Sequence, residues 1–296
     1  MRTNLLSLFL CLSFVTTFAQ KLPQSNVMLM QIDRYSDSIS VSKPMYLTQF
    51  NKFGYNNQPY FMTDDELYMS VQFPYDTTQT DIYSLNLATK EFTQITETKE
   101  SEYSPKLSPD GAGFTVVRVD ANKEKAQRLW QYPLDRSGKG NALLSNTDIG
   151  YYQFVTPKKV VAFIVEPQEK HHMSTIELGS GNESKFSMPI GRCFQNFGNG
   201  TIAYVDKSIE DAYQLMRYTP ADYTFGLLVD LPVGANEDFV FLDENIVLLA
   251  QGSRLYSYNL KTKSGWKLAI DLKSLNIKKI ERLALNKKGQ LAMVIK

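Results

Sequence analysis

Ser104-Pro105-Lys106-Leu107-Ser108-Pro109-Asp110-Gly111, followed two residues later by Phe114-Thr115-Val116-Val117, reads as a strand, a tight turn and a returning strand. Pro109 presets φ for the first central turn position and Gly111 accepts the positive φ that follows, so the chain reverses here as a hairpin. The apolar residue that ends the first strand, Leu107, has counterparts at Phe61, Val155, Phe197, Phe241 and Leu285. In chain order the six anchors are separated by 46, 48, 42, 44 and 44 residues. Turn chemistry and an apolar strand follow the others too: Thr63-Asp64-Asp65-Glu66, Thr156-Pro157-Lys158-Lys159, Gly198-Asn199-Gly200, Asp243-Glu244-Asn245 and Asn286-Lys287-Lys288-Gly289. A hairpin and two further strands at this period make one blade of a β-propeller.

An internal match supports the period. Tyr83, Ser84, Asn86, Leu87, Thr89 and Lys90 recur as Tyr256, Ser257, Asn259, Leu260, Thr262 and Lys263, all at an offset of 173. Long helical periodicity is absent, and the chain reads as all-β. Residues 20–60 and 285–296 together hold 53 residues, one repeat and a short tail, which leaves room for six blades and no seventh. The expected fold is a six-bladed propeller of four-stranded blades, a single domain over residues 20–296. Its ring is expected to close by pairing N-terminal outer strands, residues 28–32 and 41–48, with the C-terminal hairpin of residues 280–285 and 290–295. Such closure removes the open sheet edges.

The Ser104 to Gly111 segment with its returning strand resembles the repeat of the TolB-type propeller, and Asp81-Ile82-Tyr83-Ser84-Leu85-Asn86-Leu87 resembles the third strand of that repeat. The blades anchored at Val155, Phe197 and Phe241 lack the Ser-Pro-Asp-Gly turn, although the spacing persists to the end of the chain. The resemblance implies an exported six-bladed propeller that binds other proteins.

Export is also written at the N-terminus. Arg2 is the only charge in the first 19 residues, residues 5–15 form an 11-residue apolar run, and Thr17-Phe18-Ala19 supplies a small-residue cleavage pattern. This reads as a secretory signal peptide cut after Ala19, since the run is too short to span a bilayer. Leu10 stands where a lipoprotein signal wants a small residue before Cys11, so no lipidation is expected. No later apolar stretch has spanning length, and a periplasmic or secreted chain without a transmembrane segment is expected. Residues 20–296 carry 31 basic and 31 acidic side chains. That balance excludes steering toward nucleic acid or acidic lipid.

Catalytic signatures are scarce. Cys193 is the only thiol beyond residue 19, with no base near it in sequence, and reads as a small buried hydrophobe. No Gly-x-Ser-x-Gly elbow, Gly-rich phosphate loop or Cys-x-x-Cys pair occurs. His171 and His172 are the only histidines; metal binding would need Glu166 or Glu169 besides, and a solvent loop is the expected setting. Neither a cofactor nor a metal is expected. Asp64-Asp65-Glu66 and Asp243-Glu244 fall in hairpin turns, and Glu210-Asp211 and Glu237-Asp238 on the opposite face. The basic residues from Lys273 to Lys288 read as a solvated strand edge. Asp37-Ser38-Ile39 and Asp76-Thr77-Thr78 resemble triplets that Bacteroidetes glycosylate; Asn182-Glu183-Ser184 and Asn199-Gly200-Thr201 would be acceptors in a eukaryotic secretory route.

The segments that begin each inner strand converge around the axis on one face. They contain Tyr55, Asn57, Glu102, Tyr103, Tyr151, Tyr152, Arg192, Asp238 and Lys279. Tyrosines among mixed charges suit protein binding, with rigid aromatic area at the centre and salt bridges at the rim. The competing expectation is that the tyrosines tuck into neighbouring blades. A scaffold or binding module of the envelope, with another envelope protein as partner, is the preferred reading. Two other classes stay open: a secreted carbohydrate-active or other hydrolytic enzyme, which needs convergent ionisable groups at the axis, and a small-ligand or metal sensor, which needs a closed pocket.

Overall fold

The computed structural model describes residues 22–35, 38–122 and 124–296. The expected signal peptide at residues 1–19 and Asp37 of one triplet that resembles a glycosylation site lie outside the described residues. The chain opens with β1 (Asn26–Tyr35), β2 (Ser38–Val41) and β3 (Met45–Tyr46). Five complete blades follow. The first is β4 (Tyr55–Phe61), β5 (Glu66–Gln72), β6 (Asp81–Asn86) and β7 (Phe92–Gln94). The second is β8 (Ser101–Leu107), β9 (Gly113–Val119), β10 (Gln127–Pro133) and β11 (Asn141–Ala142). The third is β12 (Ile149–Thr156), β13 (Lys159–Ile164), β14 (His172–Glu177) and β15 (Glu183–Phe186). The fourth is β16 (Ile190–Asn196), β17 (Ile202–Asp206), β18 (Gln214–Thr219) and β19 (Thr224–Asp230). The fifth is β20 (Phe239–Phe241), β21 (Ile246–Gln251), β22 (Arg254–Asn259) and β23 (Lys267–Asp271). The sixth blade is built from both ends of the chain: β24 (Ile280–Leu285) pairs with β25 (Gln290–Ile295), and β25 pairs with β1, in the order β2-β1-β25-β24.

All six hairpin anchors fall within one residue of the end of an inner strand, β4, β8, β12, β16, β20 or β24. The turn after Leu107 shows why its sequence was so legible. Ser108 Oγ donates to the Gly113 carbonyl at 2.8 Å and accepts from the Gly113 amide at 2.9 Å, Asp110 Oδ1 accepts from Ala112 N at 3.0 Å, and Gly111 has φ +69°.

The ring closes by antiparallel pairing of β1 with β25, from Asn26 opposite Ile295 to Gln31 opposite Gln290. One detail differs from the sequence expectation. The outermost strand is not one run over residues 41–48 but two pieces, β2 and β3, both pairing with β1. Pro44 has no amide hydrogen to give a ladder, so pairing breaks around it. There the Ser42 amide bonds the Gln31 carbonyl at 2.9 Å, and Ser42 Oγ accepts from the Gln31 amide at 2.8 Å.

Six apolar clusters fill the six spaces between neighbouring blades. Alternation along β1 serves two of them. Val27 and Leu29 pack with Leu67, Met69 and Val71 of the first blade, while Met28, Met30 and Ile32 pack with Leu248 and Leu255 of the fifth. Burying each such side chain stabilises by about 1.5 to 3 kcal/mol. Inner strands are irregular where they pass the axis: register shifts interrupt β4 between Asn57 and Tyr60, β8 between Tyr103 and Lys106, β12 between Ile149 and Tyr151, β16 between Ile190 and Phe194, and β24 between Ile280 and Arg282. Bulges of this kind bend a strand and re-aim its side chains. Gln58 and Ser104 sit at two of them with φ of 52° and 55°, the left-handed region that non-glycine residues seldom adopt.

Candidate functional site: an axial cavity with an arginine cluster

The bulges turn side chains from five inner strands, together with Asp238 just before the sixth, β20, into a cavity of about 300 Å³ on the axis. Its charged lining consists of Lys106, Arg192, Asp238 and Arg282. At the end where the inner strands begin, Arg192 donates from Nε and Nη2 to Asp238 Oδ2 at 3.1 and 2.9 Å, and from Nη2 to the Glu281 carbonyl at 3.2 Å. Arg282 Nη1 lies 3.6 Å from Asp238 Oδ1, its Nη2 donates to Tyr151 Oη at 2.8 Å, and its guanidinium carbon is 4.9 Å from the centre of the Tyr151 ring. Tyr55 is buried beside this cluster, and burial holds its hydroxyl well above the usual tyrosine range. Glu237 is occupied separately: it accepts from Lys207 Nζ at 2.6 Å and from the Arg192 amide at 3.2 Å.

Deeper along the axis, Lys106 Nζ donates to Gln153 Oε1 at 2.5 Å and lies 5.6 Å from the centre of the Tyr152 ring. Among the described residues no carboxylate lies within ion-pair distance of it. Burial pulls its amine down to about 8. Cys193 is also here; burial and then the Asp238 charge push its thiol up to about 11, and the thiol donates to the Phe239 carbonyl at 3.4 Å. Such a thiol is protonated at neutral pH and a poor nucleophile. Asp238 is the one carboxylate among the described lining residues, so the facing carboxyl pair of a glycosidase does not occur in this cavity.

The nine sequence-derived residues divide by setting. Tyr151, Arg192 and Asp238 meet in the cluster with Tyr55 next to it. Tyr152 is 1% exposed, and its hydroxyl binds Thr115 Oγ1 at 2.8 Å and the Ser104 carbonyl at 3.1 Å, tying the third blade to the second. It offers no surface to a partner. Glu102 is fully buried between the first and second blades, accepting from Thr98 Oγ1 at 2.5 Å, Thr96 Oγ1 at 3.2 Å and Tyr132 Oη at 3.2 Å. Asn57 is buried and accepts from the Gln58 amide at 2.8 Å. Tyr103 is half-buried with its hydroxyl bonded to Thr80 at 3.1 Å. Lys279 is 53% exposed and sits 3.6 Å from Glu281.

The sequence reading misplaces one cavity residue and misses another: Arg282, expected on a solvated strand edge, lines the axial cavity instead, and Lys106 is not singled out. Arg282 occupies the same place in β24 as Arg192 does in β16: Ile280-Glu281-Arg282 repeats Ile190-Gly191-Arg192, and that recurring spacing was the available signal. Lys106 carried a weaker one, a charged residue in the middle of an inner strand. His171 stays in the loop before β14 and is half-buried, but His172 does not fit the solvent-loop expectation. His172 begins β14 and is buried, with Nδ1 3.1 Å from Glu166 Oε1 and Nε2 3.7 Å from Glu183 Oε1. His171 Nδ1 accepts from the Glu166 amide at 3.1 Å. Among the described residues no group of three or more His, Cys, Asp or Glu is placed to hold a metal ion. On the hairpin-turn face Lys288 pairs with Asp65 at 3.0 Å, joining the sixth blade to the first.

No family model matches the sequence, and no curated protein matches it. Solved structures do resemble the fold. TolB from Acinetobacter baumannii has a TM-score of 0.60 at 13% identity over 83% of this chain, which spans 64% of that protein. A putative TolB from Agrobacterium tumefaciens has a TM-score of 0.65 at 11% identity, covering 92% of this chain and 99% of its own. A puromycin-hydrolyzing peptidase of Mycobacterium tuberculosis has a TM-score of 0.56 at 12% identity over 82% of this chain, which spans 44% of it. The chain therefore has the TolB-like six-bladed propeller fold. No helix among the described residues is long and apolar enough to cross a membrane.

Proposed function

We propose that this chain is an exported, non-enzymatic propeller of the cell envelope that binds another protein on the face where its inner strands begin. The observation that carries the reading is the cluster of Tyr151, Arg192 and Arg282 with the Asp238 carboxylate, joined by bonds across four blades. Tyrosine and arginine, fixed in place before binding, are the side chains that dominate protein interfaces. With its thiol protonated, Cys193 is a poor nucleophile, and the single carboxylate among the described lining residues offers no carboxyl pair. The apolar N-terminal run with its cleavage pattern supports export, and the TolB-like fold supports a binding role.

Affinity capture from envelope extract with residues 20–296 as bait tests the reading when the Tyr103→Ala, Tyr151→Ala double variant is run beside it. A partner held by the parent chain should bind the variant at least roughly thirtyfold more weakly, the loss of about 2 kcal/mol typical of interface anchors, at a matched melting temperature. If every captured protein binds both chains equally, this face is not the binding face.

A further inference from the structure

The charges that line the axial cavity do not balance. Among the described lining residues Lys106, Arg192 and Arg282 face one carboxylate, Asp238, in a space of about 300 Å³, and Glu237 and Glu281, outside the lining, act on Arg192 and not on Lys106. Arg192 and Arg282 share the Asp238 carboxylate, and Lys106 has only the neutral oxygen of Gln153. Cations confined among strands without counter-charges repel one another and lose hydration, so the arrangement is costly unless an anion completes it. A second observation lies at the same place. Ser104, 7% exposed and on the cavity wall, has an Oγ with no hydrogen-bond partner among the described residues, and its backbone is held in the left-handed region at φ 55°. Strained backbone at a bulge with an orphaned hydroxyl marks a position kept for something other than packing.

We propose that the axial cavity is a carboxylate-binding site, with Lys106 as its principal counter-charge, Arg282 as its second cation and Ser104 Oγ as a further donor. The carboxylate is an acidic side chain or a chain terminus of a partner polypeptide. This inference rests on the protein-binding reading for the identity of the occupant, but the site itself can be tested without a partner. Charge-assisted bonds from lysine and arginine to carboxylate are about twice as strong as neutral ones. The amine of Lys106, drawn down by burial, regains its ordinary charge when a carboxylate arrives.

Three blocked peptides serve as probes in an NMR titration of isotopically labelled residues 20–296: acetyl-Gly-Gly-Gly with a free C-terminus, acetyl-Gly-Asp-Gly-amide, and neutral acetyl-Gly-Gly-Gly-amide. At constant ionic strength, at least one acidic probe should saturate with shifts centred on Ser104, Lys106 and Gln153, and the neutral probe should not. Which acidic probe binds distinguishes the terminus from the side chain. Lys106→Met should weaken binding at least roughly tenfold, and Lys106→Arg should retain it. Gln153→Glu supplies an internal carboxylate to Lys106 and should abolish binding in a folded chain, which covers the case in which Lys106→Met fails to fold. Equal binding of all three probes, no saturable binding of either acidic probe, or unchanged affinity in Gln153→Glu overturns the proposal. Probe binding without any captured partner would keep this site and remove the protein-binding reading; a variant-sensitive partner without probe binding would do the reverse.

Discussion

Arg192 donates to Asp238 through both Nε and Nη2, at 3.1 and 2.9 Å from the same carboxylate oxygen, and so fastens the fourth blade to the fifth at the axis. Arg282 brings the sixth blade to the other oxygen at 3.6 Å. One carboxylate thus serves three blades and keeps two guanidinium groups side by side.

Removing that carboxylate leaves both arginines uncompensated. Asp238→Ala should therefore destabilise the ring by about 3 to 5 kcal/mol, the cost of breaking a buried pair from one side. Urea melts give the value directly. The Asp238→Ala, Arg192→Met double variant should lose less than the sum of the two single changes, because the cation left stranded by the first is gone. A single-variant loss below about 0.5 kcal/mol would show that the cluster carries no structural weight.

Closure predicts a second outcome. A chain starting at Phe53 lacks β1, β2 and β3, so it exposes the edge of β25 and strips side chains from two of the six interblade clusters. It should aggregate or melt well below residues 20–296. Equal melting temperatures for the two chains would contradict closure through β1.

Titration provides a third. Burial pushes the Glu102 carboxyl up to about 7 and that of Asp81 up to about 6. Both values exceed those of an unfolded chain, so the fold favours the neutral acids. Their contribution is complete below the ordinary carboxyl range and is lost as pH rises through about 6 to 7. Buried His172, lowered by desolvation and then by Lys185, has the opposite sign: its contribution is present above the ordinary histidine value and lost as pH falls through its lowered folded value. Denaturant melts at pH 5.5 and 8 should show Glu102→Gln gaining stability relative to the parent at the higher pH, by of order 1 to 3 kcal/mol. A pH-independent difference between the two chains would refute the burial argument.

Local chemistry explains how much of the fold could be read in advance. The match between Tyr83 to Lys90 and Tyr256 to Lys263 is one turn used twice. Asn86 Oδ1 accepts from the amides of Ala88 and Thr89, both at 2.9 Å, and Asn259 Oδ1 accepts from those of Lys261 and Thr262 at 2.9 and 3.0 Å. Lys90 and Lys263 then both take positive φ. Turns like these are specified by neighbours in sequence, so their period exposes the blades. The site is assembled differently. Tyr152 and Glu102 read as surface residues because partners of theirs, Thr115, Ser104 and Tyr132, come from other strands. Lys106 and Arg282 were hidden because a bulge, not strand alternation, decides which way they point.

Hydrogen–deuterium exchange of the chain bound to its captured partner tests the central claim most directly. Binding at the face where the inner strands begin predicts new protection in the segments just before those strands, around residues 53–55, 97–102, 145–151, 187–192, 232–238 and 272–280, with little change in the hairpin turns around residues 62–65, 108–112 and 286–289. Protection confined to those hairpin turns, or to the outer strands, would place the partner elsewhere and contradict the account.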